Sequence, residues 1–367
     1  MFPVMKVASK LNGYIFCLLS AAMLFYSVPK VLTFAEKEMD AVSLYFNGQL
    51  SREFEKSYDE KLFLRELSIE YWADLRYWLF NEGLDGVVIG DEGWLYSKEE
   101  FSFPNNTQAV VEQHFNKVLE VKQAMAEVGK KLIILPVPMK LDIYSEHTPY
   151  DVKQSSEALY KQFVTLLDNH NIPNSPIRNV FLDKNEDQLL FLKKDTHWTP
   201  AGAELAASSL ATRFPELVGE TEYVSHTESN NEVVGDLVNF IKVSRWVNSS
   251  IYDAEIIPLY ETTKSETEDG DSALFGEQSI SLALVGTSYT AIDDWNFAGF
   301  LKQHLKNNLV SVSVKEKGPF VAMEQFLQND IINDSDVDTV IWEFPVRALI
   351  ASNQTGNAWQ SAMDDIF

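Results

Sequence analysis

Short apolar runs alternate with amphipathic stretches through most of this chain. The runs typical of buried strands lie at 131–136, 179–183, 282–285 and 337–344. Between them, apolar residues recur three and four positions apart, as in helices that pack on a core, at 115–128, 155–169, 201–213 and 294–306. This alternation predicts an α/β fold in which a parallel sheet is flanked by helices.

Three further regions complete this prediction. Residues 35–80 favour helix, because most of their apolar residues fall three or four positions apart with charges between them. Asp91-Glu92-Gly93 separates the apolar segments 86–90 and 94–96, which indicates a β-hairpin. Residues 219–280 are rich in polar and acidic runs, such as 266–271, and are predicted to form surface loops.

The N-terminus carries an uncharged apolar stretch. Lys6 and Lys10 precede residues 11–29, which contain no charged side chain. As a helix this stretch spans about 28 Å, close to the hydrocarbon thickness of a bilayer, and the lysines favour a cytoplasmic N-terminus. A signal peptide cleaved near Ser20 or Ala22 is the alternative. We therefore expect a signal anchor or signal peptide at 1–34 and a translocated domain at 35–367.

Charge and cysteine content exclude several classes of protein. The net charge of −24 argues against nucleic acid as a partner, because phosphate contacts need clustered lysine and arginine. The single cysteine, Cys17, lies in the N-terminal apolar stretch. The rest of the chain therefore has no disulfide, no thiolate metal site and no cysteine nucleophile. We expect no cofactor and no bound metal.

The segment Asp195-Thr196-His197-Trp198 carries the clearest chemical signal. Of the six histidines, only His197 has a carboxylate two positions before it and a tryptophan directly after it. Residues two apart on an extended segment point the same way, so the Asp195 carboxylate can reach the imidazole. A histidine that caps the next helix is one alternative. Metal binding is another, although no third ligand is placed convincingly beside the pair.

Ser288 follows a predicted strand through a tight turn. The apolar run 281–285 ends in Gly286, and a helix is predicted further on. Strand, turn, serine and helix form an arrangement that lifts a nucleophile out of a sheet edge, although only the leading glycine of the esterase elbow is present. A hydroxyl needs a base and a group that orients the base. With His197 and Asp195 in these roles, the chain is predicted to be a serine-dependent acyl-transfer enzyme.

Several blocks in a fixed order extend this interpretation to a family. With the two segments above, the chain resembles the alginate O-acetyltransferases of the AlgJ/AlgX type, whose catalytic domain is SGNH hydrolase-like. The other blocks are 76–80 (RYWLF), 88–96 (VIGDEGWLY), 136–140 (PVPMK), 318–319 (GP) and 341–347 (IWEFPVR). In ordinary SGNH hydrolases the serine block comes first, whereas here, as in the acetyltransferases, it follows the Asp/His block.

The resemblance implies specific roles and partners. Ser288 is expected to be the nucleophile, His197 the base and Asp195 its orienting partner. The acceptor would be an exopolysaccharide such as alginate, and the acetyl source a membrane-bound O-acyltransferase. The apparent N-terminal anchor favours the membrane-anchored AlgJ type, in the periplasm and attached to the inner membrane, with a soluble periplasmic form as the alternative.

Further residues are predicted to contact substrate. Tyr289 and Arg347 are expected to position it, and Trp94 and Trp198 to stack on sugar rings. A basic rim for uronate carboxylates is predicted from three lysines beside these blocks: Lys140, Lys193 and Lys194. Each of these side chains has a structural alternative, as a core aromatic or a solvated loop charge.

Two other functions fit the same residues. A carbohydrate esterase would use the same triad to pass the acetyl group to water. A non-catalytic scaffold of a polysaccharide secretion complex would leave the triad idle. The sequence does not separate these alternatives, and it does not identify the acceptor polymer.

Overall fold

The computed structural model describes residues 3–37, 45–61, 65–183, 188–265, 281–315, 317–351, 359–364 and 366. Its strands are β1 Val87–Ile89, β2 Leu95–Ser97, β3 Lys131–Val137, β4 Tyr223–Val233, β5 Glu255–Lys264, β6 Leu282–Gly286, β7 Leu309–Ser313 and β8 Thr339–Pro345. Two compact units divide the chain, Met1–Trp72 and Ala73–Phe367.

The α-helices differ widely in length. The first three are α1 Pro3–Lys37, α2 Leu50–Lys61 and α3 Arg65–Phe80. Those that follow before β6 are α4 Thr107–Glu127, α5 Lys140–Ile143, α6 Lys153–Asn169, α7 Arg178–Leu182 and α8 Pro200–Arg213. The remaining ones are α9 Ser288–Ala291, α10 Phe297–Leu305, α11 Gly318–Leu327 and α12 Trp359–Asp364.

A four-stranded parallel sheet organises the larger unit. Its order is β3-β8-β6-β7, and every neighbouring pair is parallel. All residues of β6 and β8 are buried, which is why both strands are almost continuous apolar runs in the sequence. The predicted parallel α/β fold is confirmed, as are the strands predicted at 131–136, 282–285 and 337–344.

Helices flank this sheet and close one continuous apolar core. The helices predicted at 115–128, 155–169, 201–213 and 294–306 correspond to α4, α6, α8 and α10. Their buried residues join those of the sheet in the same cluster. Thr199 caps α8 by accepting a hydrogen bond from the Gly202 N–H, and Pro200 occupies the first turn. The segment around His197 therefore ends at a well-defined helix start.

The strand predicted at 179–183 is wrong, because this segment forms the short helix α7. The apolar run Val180-Phe181-Leu182 suggested a buried strand, but only Phe181 is fully buried, while Val180 and Leu182 remain 39% and 37% exposed. A short apolar run does not distinguish a strand from a helix by periodicity alone.

Residues 219–280 are not simply loops. β4 and β5 pair antiparallel as a separate two-stranded sheet, with a register shift between Thr227 and Ser229. Their residues are mostly exposed or half-buried, so the strands lack an apolar face that the sequence could reveal. The acidic run 266–271 lies outside the described residues. The hairpin predicted at 86–96 is confirmed by the antiparallel pair β1 and β2.

The unit Met1–Trp72 is largely helical where it is described. Leu11–Phe34, within α1, has a mean hydropathy of 1.8 over its most apolar window and is long enough to cross a membrane. A signal sequence has the same length and composition, so the choice between anchor and signal peptide stays a prediction. The predicted domain boundary between residues 34 and 35 rests on hydropathy and also stays a prediction.

A buried ion pair joins α5 to α7. The Arg178 guanidinium donates to both carboxylate oxygens of Asp142, at 2.6 and 2.9 Å, and their side chains are 7% and 1% exposed. Glu157 lies at the edge of the pair, 3.3 Å from Arg178 Nη2. This pair holds α5, and with it Lys140, in position.

We expect Asp142→Ala to lower the free energy of unfolding by about 3–5 kcal/mol, because it leaves a buried guanidinium without its main partner. Denaturation in urea measures this change. Glu157→Ala is the control: it removes the half-buried partner and should cost about 1 kcal/mol or less. Equal effects of the two substitutions would contradict the assignment of Asp142 as the main partner.

Candidate active site

Ser288 lies at the carboxyl end of β6, where ligands bind in open α/β sheets. Gly286 and Thr287 form the turn, and Ser288 is the first residue of α9. A Cβ atom on Gly286 would lie 2.1 Å from Thr290 Oγ1 and 2.9 Å from Glu343 Oε2. The turn therefore needs glycine at this position for steric reasons.

The predicted residues Ser288, His197 and Asp195 form one chain of hydrogen bonds. His197 Nε2 lies 2.7 Å from Ser288 Oγ, and Nδ1 lies 2.6 Å from Asp195 Oδ1. Since an ionised carboxylate only accepts hydrogen bonds, Nδ1 carries a proton and Nε2 is left to accept the serine proton. This is the arrangement of a hydroxyl, its base and the group that orients the base.

Asp195 is held in its ionised form. Burial alone would raise the pKa of its carboxyl, but the hydrogen bond from His197 and the electrostatic attraction of its imidazole outweigh burial and lower that pKa below its usual value. The backbone N–H groups of His197 and Asp236 also donate to the two carboxylate oxygens, at 2.9 and 2.8 Å. A charged acceptor next to Nδ1 is therefore available at neutral pH.

The loop that carries Asp195 and His197 is fixed from one side by Lys140. Its ammonium donates to the carbonyl oxygens of Leu192, Lys193 and Asp195, at 3.1, 3.2 and 2.6 Å, and the residue is fully buried. Burial lowers the pKa of Lys140 to about 8, although nearby Glu100 and the other acids oppose this shift. At neutral pH the ammonium thus binds three carbonyls of this loop, of which that of Lys193 also accepts from the Leu95 N–H of β2 at 2.8 Å.

Two more charged side chains hold the same loop in place, one from β5 and one from the loop itself. The Glu255 carboxylate accepts hydrogen bonds from the backbone N–H groups of Lys193 and Lys194, both at 2.9 Å. The Lys194 ammonium donates to the carbonyls of Ser250 and Asp253, at 2.6 and 2.8 Å. The loop thus exchanges hydrogen bonds with β5 and with the segment just before it.

The predicted basic rim is wrong for two of its three lysines. Lys140 is fully buried and Lys194 only 9% exposed, and their ammonium groups are occupied by backbone carbonyls. Lys193 is half-buried and lies over the Trp94 ring, 5.7 Å from its centroid, where both residues line a separate pocket of about 390 Å³. None of the three lines the cleft at Ser288.

The predicted stacking tryptophans lie in the core. Trp198 is completely buried and Trp94 is 1% exposed, so neither offers a ring face to a sugar. Instead, Trp198 Nε1 donates to the Tyr289 carbonyl at 3.2 Å. The Tyr289 hydroxyl in turn donates to the Thr196 carbonyl at 2.9 Å, and Tyr289 is 1% exposed. These two contacts join the histidine loop to the serine turn, which is a positioning role and not a substrate contact.

Arg347 is the one predicted substrate-contacting residue that reaches the cleft. It lies two residues after the end of β8, its side chain is 18% exposed, and Nη1 donates to the Tyr289 hydroxyl at 3.4 Å. The contact with Tyr289 orients the guanidinium beside the serine turn. Its role toward substrate stays a prediction.

An open cleft of about 1060 Å³ lies over Ser288 and His197. Its floor is formed by the ends of β6 and β8 and the residues that follow them. Its charged lining residues are Glu99, Asp236, Lys315, Lys317, Glu324 and Arg347. The cleft is large enough for several sugar units, and the hydroxyl of Ser288 faces it.

Asp236 is a site residue that the sequence analysis missed. Its carboxylate oxygen Oδ1 accepts from the Thr196 backbone N–H at 2.8 Å and from the Thr196 hydroxyl at 3.1 Å. Its other oxygen lies 4.0 Å from His197 Nδ1. No spacing rule connects Asp236 to the histidine loop, because the contact is made only by the tertiary fold.

Asp195, His197 and Asp236 also place potential metal-ligand atoms within 4.8 Å of one another. Both imidazole nitrogens, however, already bond to Asp195 and Ser288. This set of contacts fits a proton relay better than a metal site.

Glu343 lies beneath the serine turn, completely buried in β8. Its carboxylate accepts from the Thr287 backbone N–H at 2.7 Å and from the Thr287 and Thr290 hydroxyls at 3.0–3.1 Å. Burial raises the pKa of Glu343 to about 7, while the bonds from Thr287 and Thr290 oppose this shift. Glu343 is a second residue that the sequence analysis missed.

Comparison with known proteins identifies relatives over most of the chain. Residues 87–346 match the family model described as "SGNH hydrolase-like domain, acetyltransferase AlgX". The "Probable alginate O-acetylase AlgJ" of Pseudomonas fluorescens is 35% identical over 87% of this chain and 82% of its own length. The protein of the same description from Pseudomonas aeruginosa is 32% identical, over 83% and 80%.

Solved structures share this fold. The O-acetyltransferase domain of Pseudomonas putida AlgJ aligns with a TM-score of 0.67 and 26% identity, covering 77% of this chain and 98% of that domain. Pseudomonas aeruginosa AlgX aligns with a TM-score of 0.57 and 18% identity, covering 76% of this chain and 66% of that one. The second likeness is one of fold alone.

Removing the Asp236 carboxylate should loosen the histidine loop. We expect Asp236→Ala to slow labelling of Ser288 by a sulfonyl fluoride by roughly 10- to 100-fold, because small displacements of a base are costly. Asp236→Asn keeps an acceptor oxygen for Thr196 and should lie closer to the wild type. The measurement is the second-order labelling rate. Equal rates for Asp236→Ala and the wild type would contradict this role.

Glu343 should make stability depend on pH. Because its pKa is raised from 4.5 to about 7, the unfolded chain releases this proton first, and stability is lost as pH rises through that window. Relative to Glu343→Gln, the wild-type free energy of unfolding should fall by up to about 1.4 kcal/mol per pH unit there. Urea denaturation from pH 4 to pH 8 measures the difference. A constant difference would show that Glu343 does not titrate in this way.

Proposed function

The chain belongs to the AlgX family of SGNH hydrolase-like acetyltransferases, and on that premise we propose that Ser288 carries an acetyl group to hydroxyls of an alginate-type exopolysaccharide. One observation supports this most strongly: His197 bridges Ser288 Oγ and Asp195 Oδ1 at 2.7 and 2.6 Å, at the base of an open cleft. The relatives, named as alginate O-acetylases, support the choice of acceptor.

The first half-reaction forms an acetyl-serine. His197 Nε2 takes the Ser288 proton while Oγ attacks the carbonyl carbon of the donor's acetyl group. The new C–O bond gives a tetrahedral oxyanion, for which the Ser288 backbone N–H is the proposed hydrogen-bond donor. When the bond to the donor breaks, the leaving group takes the proton from His197. Asp195 holds the imidazole in the tautomer that both proton transfers require.

The second half-reaction moves the acetyl group to the sugar. A hydroxyl of the acceptor loses its proton to His197 Nε2 and attacks the acetyl carbonyl carbon. The Ser288 C–O bond then breaks, and Oγ recovers the proton from the imidazole. The products are an acetylated sugar and the free enzyme. If water replaces the sugar hydroxyl, the same steps release acetate.

Arg347 and Tyr289 have distinct parts in this proposal. The Arg347 guanidinium, 18% exposed at the cleft, binds a polar or anionic group of the substrate. Tyr289 is buried and acts only by fixing the geometry, through its bonds to Thr196 and Arg347. Exchange of Tyr289 should therefore alter kcat more than KM.

The N-terminal helix supports the proposed location, and the family membership supports the proposed donor. Leu11–Phe34 would anchor the chain in the inner membrane, with the unit Ala73–Phe367 in the periplasm. Acetyl-CoA is not available there, so a membrane-bound O-acyltransferase would supply the acetyl group. The anchor would hold the nucleophile near such a membrane-embedded donor.

The test separates transfer, hydrolysis and a scaffold role. The full-length chain in detergent is given a chromogenic acetyl ester and an oligouronate, and mass spectrometry detects acetylated sugar. Ser288→Ala should abolish transfer, and Asp195→Asn should slow it by about 10³- to 10⁴-fold, since the wrong histidine tautomer is then favoured. Ser311→Ala, an exposed serine on β7, is the matched control and should retain full activity.

Each other outcome contradicts a different part of the proposal. Release of acetate with no acetylated sugar would make the chain an esterase. The absence of any turnover, with no difference between wild type and Ser288→Ala, would make it a scaffold. Activity that survives Ser288→Ala would remove the assigned nucleophile while leaving the family membership intact.

A further inference from the structure

The proposed function brings a polyanion to an acidic chain. Every sugar of alginate carries a carboxylate, while this chain has a net charge of −24. Fields from exposed charges are screened beyond about 8 Å at physiological ionic strength, so charges within the cleft decide whether the acceptor binds. The lysines predicted to supply them do not line the cleft.

Two other lysines line the cleft, where the basic rim was predicted. Lys315 and Lys317 lie on the segment between β7 and α11, both are exposed, and both line the cleft over Ser288. The backbone N–H of Val314 donates to the Gly286 carbonyl at 3.0 Å. This bond ties the start of the lysine segment to the turn that carries the nucleophile.

Two of the three carboxylates that line the cleft, Asp236 and Glu99, have a partner in the protein. Asp236 accepts two hydrogen bonds from Thr196, and Glu99 Oε2 lies 3.9 Å from Arg347 Nε. Glu324 is only 7% exposed. The Asp236 and Glu99 side chains are nevertheless 42% and 65% exposed, so the cleft presents both signs of charge to a ligand.

Lys315 and Lys317 differ from these acids in their surroundings. Among the described residues, neither Lys315 nor Lys317 has a carboxylate within 4.0 Å of its ammonium group. Glu316, which separates them in the sequence, lies outside the described residues. Two exposed lysines and the partly exposed guanidinium of Arg347 thus give the cleft three cationic groups.

Resting on the proposed function, we infer that Lys315 and Lys317 bind uronate carboxylates of the acceptor and so select a polyuronate over a neutral polysaccharide. An ammonium group is a compact point charge, so it recognises the carboxylate by charge and not by a fixed geometry. Binding of carboxylates along the chain places the ring hydroxyls of an intervening sugar over Ser288. The lysines act on acceptor binding, and they leave formation of the acetyl-serine unchanged.

The test compares acceptors in the full-length chain. Wild type and Lys315→Ala/Lys317→Ala are given a chromogenic acetyl ester as donor, with an oligouronate or a neutral oligosaccharide of equal length as acceptor. We expect KM for the oligouronate to rise roughly tenfold, since each exposed ion pair contributes little by itself. Its kcat, the KM for the neutral acceptor and the hydrolysis of the ester should stay as in the wild type.

Two controls protect this comparison. Lys153→Ala/Lys161→Ala removes the same charge from exposed positions on α6, outside the cleft, and should leave KM for the oligouronate unchanged. Thermal unfolding checks that the cleft variant is folded. If the cleft variant is not folded, the salt dependence of the wild type still tests the inference. The KM for the oligouronate should rise with salt, while the KM for the neutral acceptor should not.

The outcomes separate this inference from the proposed function. An unchanged KM for the oligouronate, or an equal rise for both acceptors, would overturn the role of the lysines. Wild-type chain that hydrolyses the ester but acetylates no sugar would instead overturn the proposed transfer. A KM that rises for the oligouronate alone supports both.

Discussion

The site depends on how an irregular loop satisfies its own backbone. Residues 192–196 belong to neither a helix nor a strand, yet they are largely buried, and unpaired backbone groups there would be costly. Charged side chains add to the few backbone hydrogen bonds that the loop makes: Lys140 binds three carbonyls, while Glu255 and Asp236 bind three N–H groups. Because an ammonium group binds carbonyls and carboxylates bind N–H groups, one conformation of the loop is favoured. This conformation places His197 next to Ser288.

The fold was predictable where burial is reflected in the sequence. β6 and β8 are buried along their whole length, so they form apolar runs that are visible without a structure. β4 and β5 are mostly exposed and carry mixed side chains, and β7, at the edge of the sheet, is only partly buried. No apolar pattern marks such strands, and the sequence analysis missed all three. The strand predicted at 179–183 is wrong for the opposite reason: the apolar side chains there are not all buried.

The site residues also differ in whether the sequence alone could predict them. Asp195 and His197 are close in sequence, and Ser288 follows a recognisable strand and turn, so local pattern was enough to propose them. Asp236 and Glu343 are remote from the residues they bind, and their roles exist only after folding. The lysines show the same limit. Proximity to a motif in the sequence favoured Lys140 and Lys194, but charged residues beside a buried loop serve that loop, and the exposed Lys315 and Lys317 come from another part of the chain.

The neighbouring strands β6 and β8 connect the two sides of the cleft floor. They are paired in parallel register, with Val285 opposite Trp342, so the turn that carries Ser288 and the segment that carries Arg347 leave the sheet at the same edge. Their separation is set by hydrogen bonds between adjacent strands and not by the chain that connects them. Insertions or deletions in the outer segments can therefore accumulate during evolution without changing the distance between Ser288 and Arg347. The floor of the cleft and its walls are free to diversify at different rates.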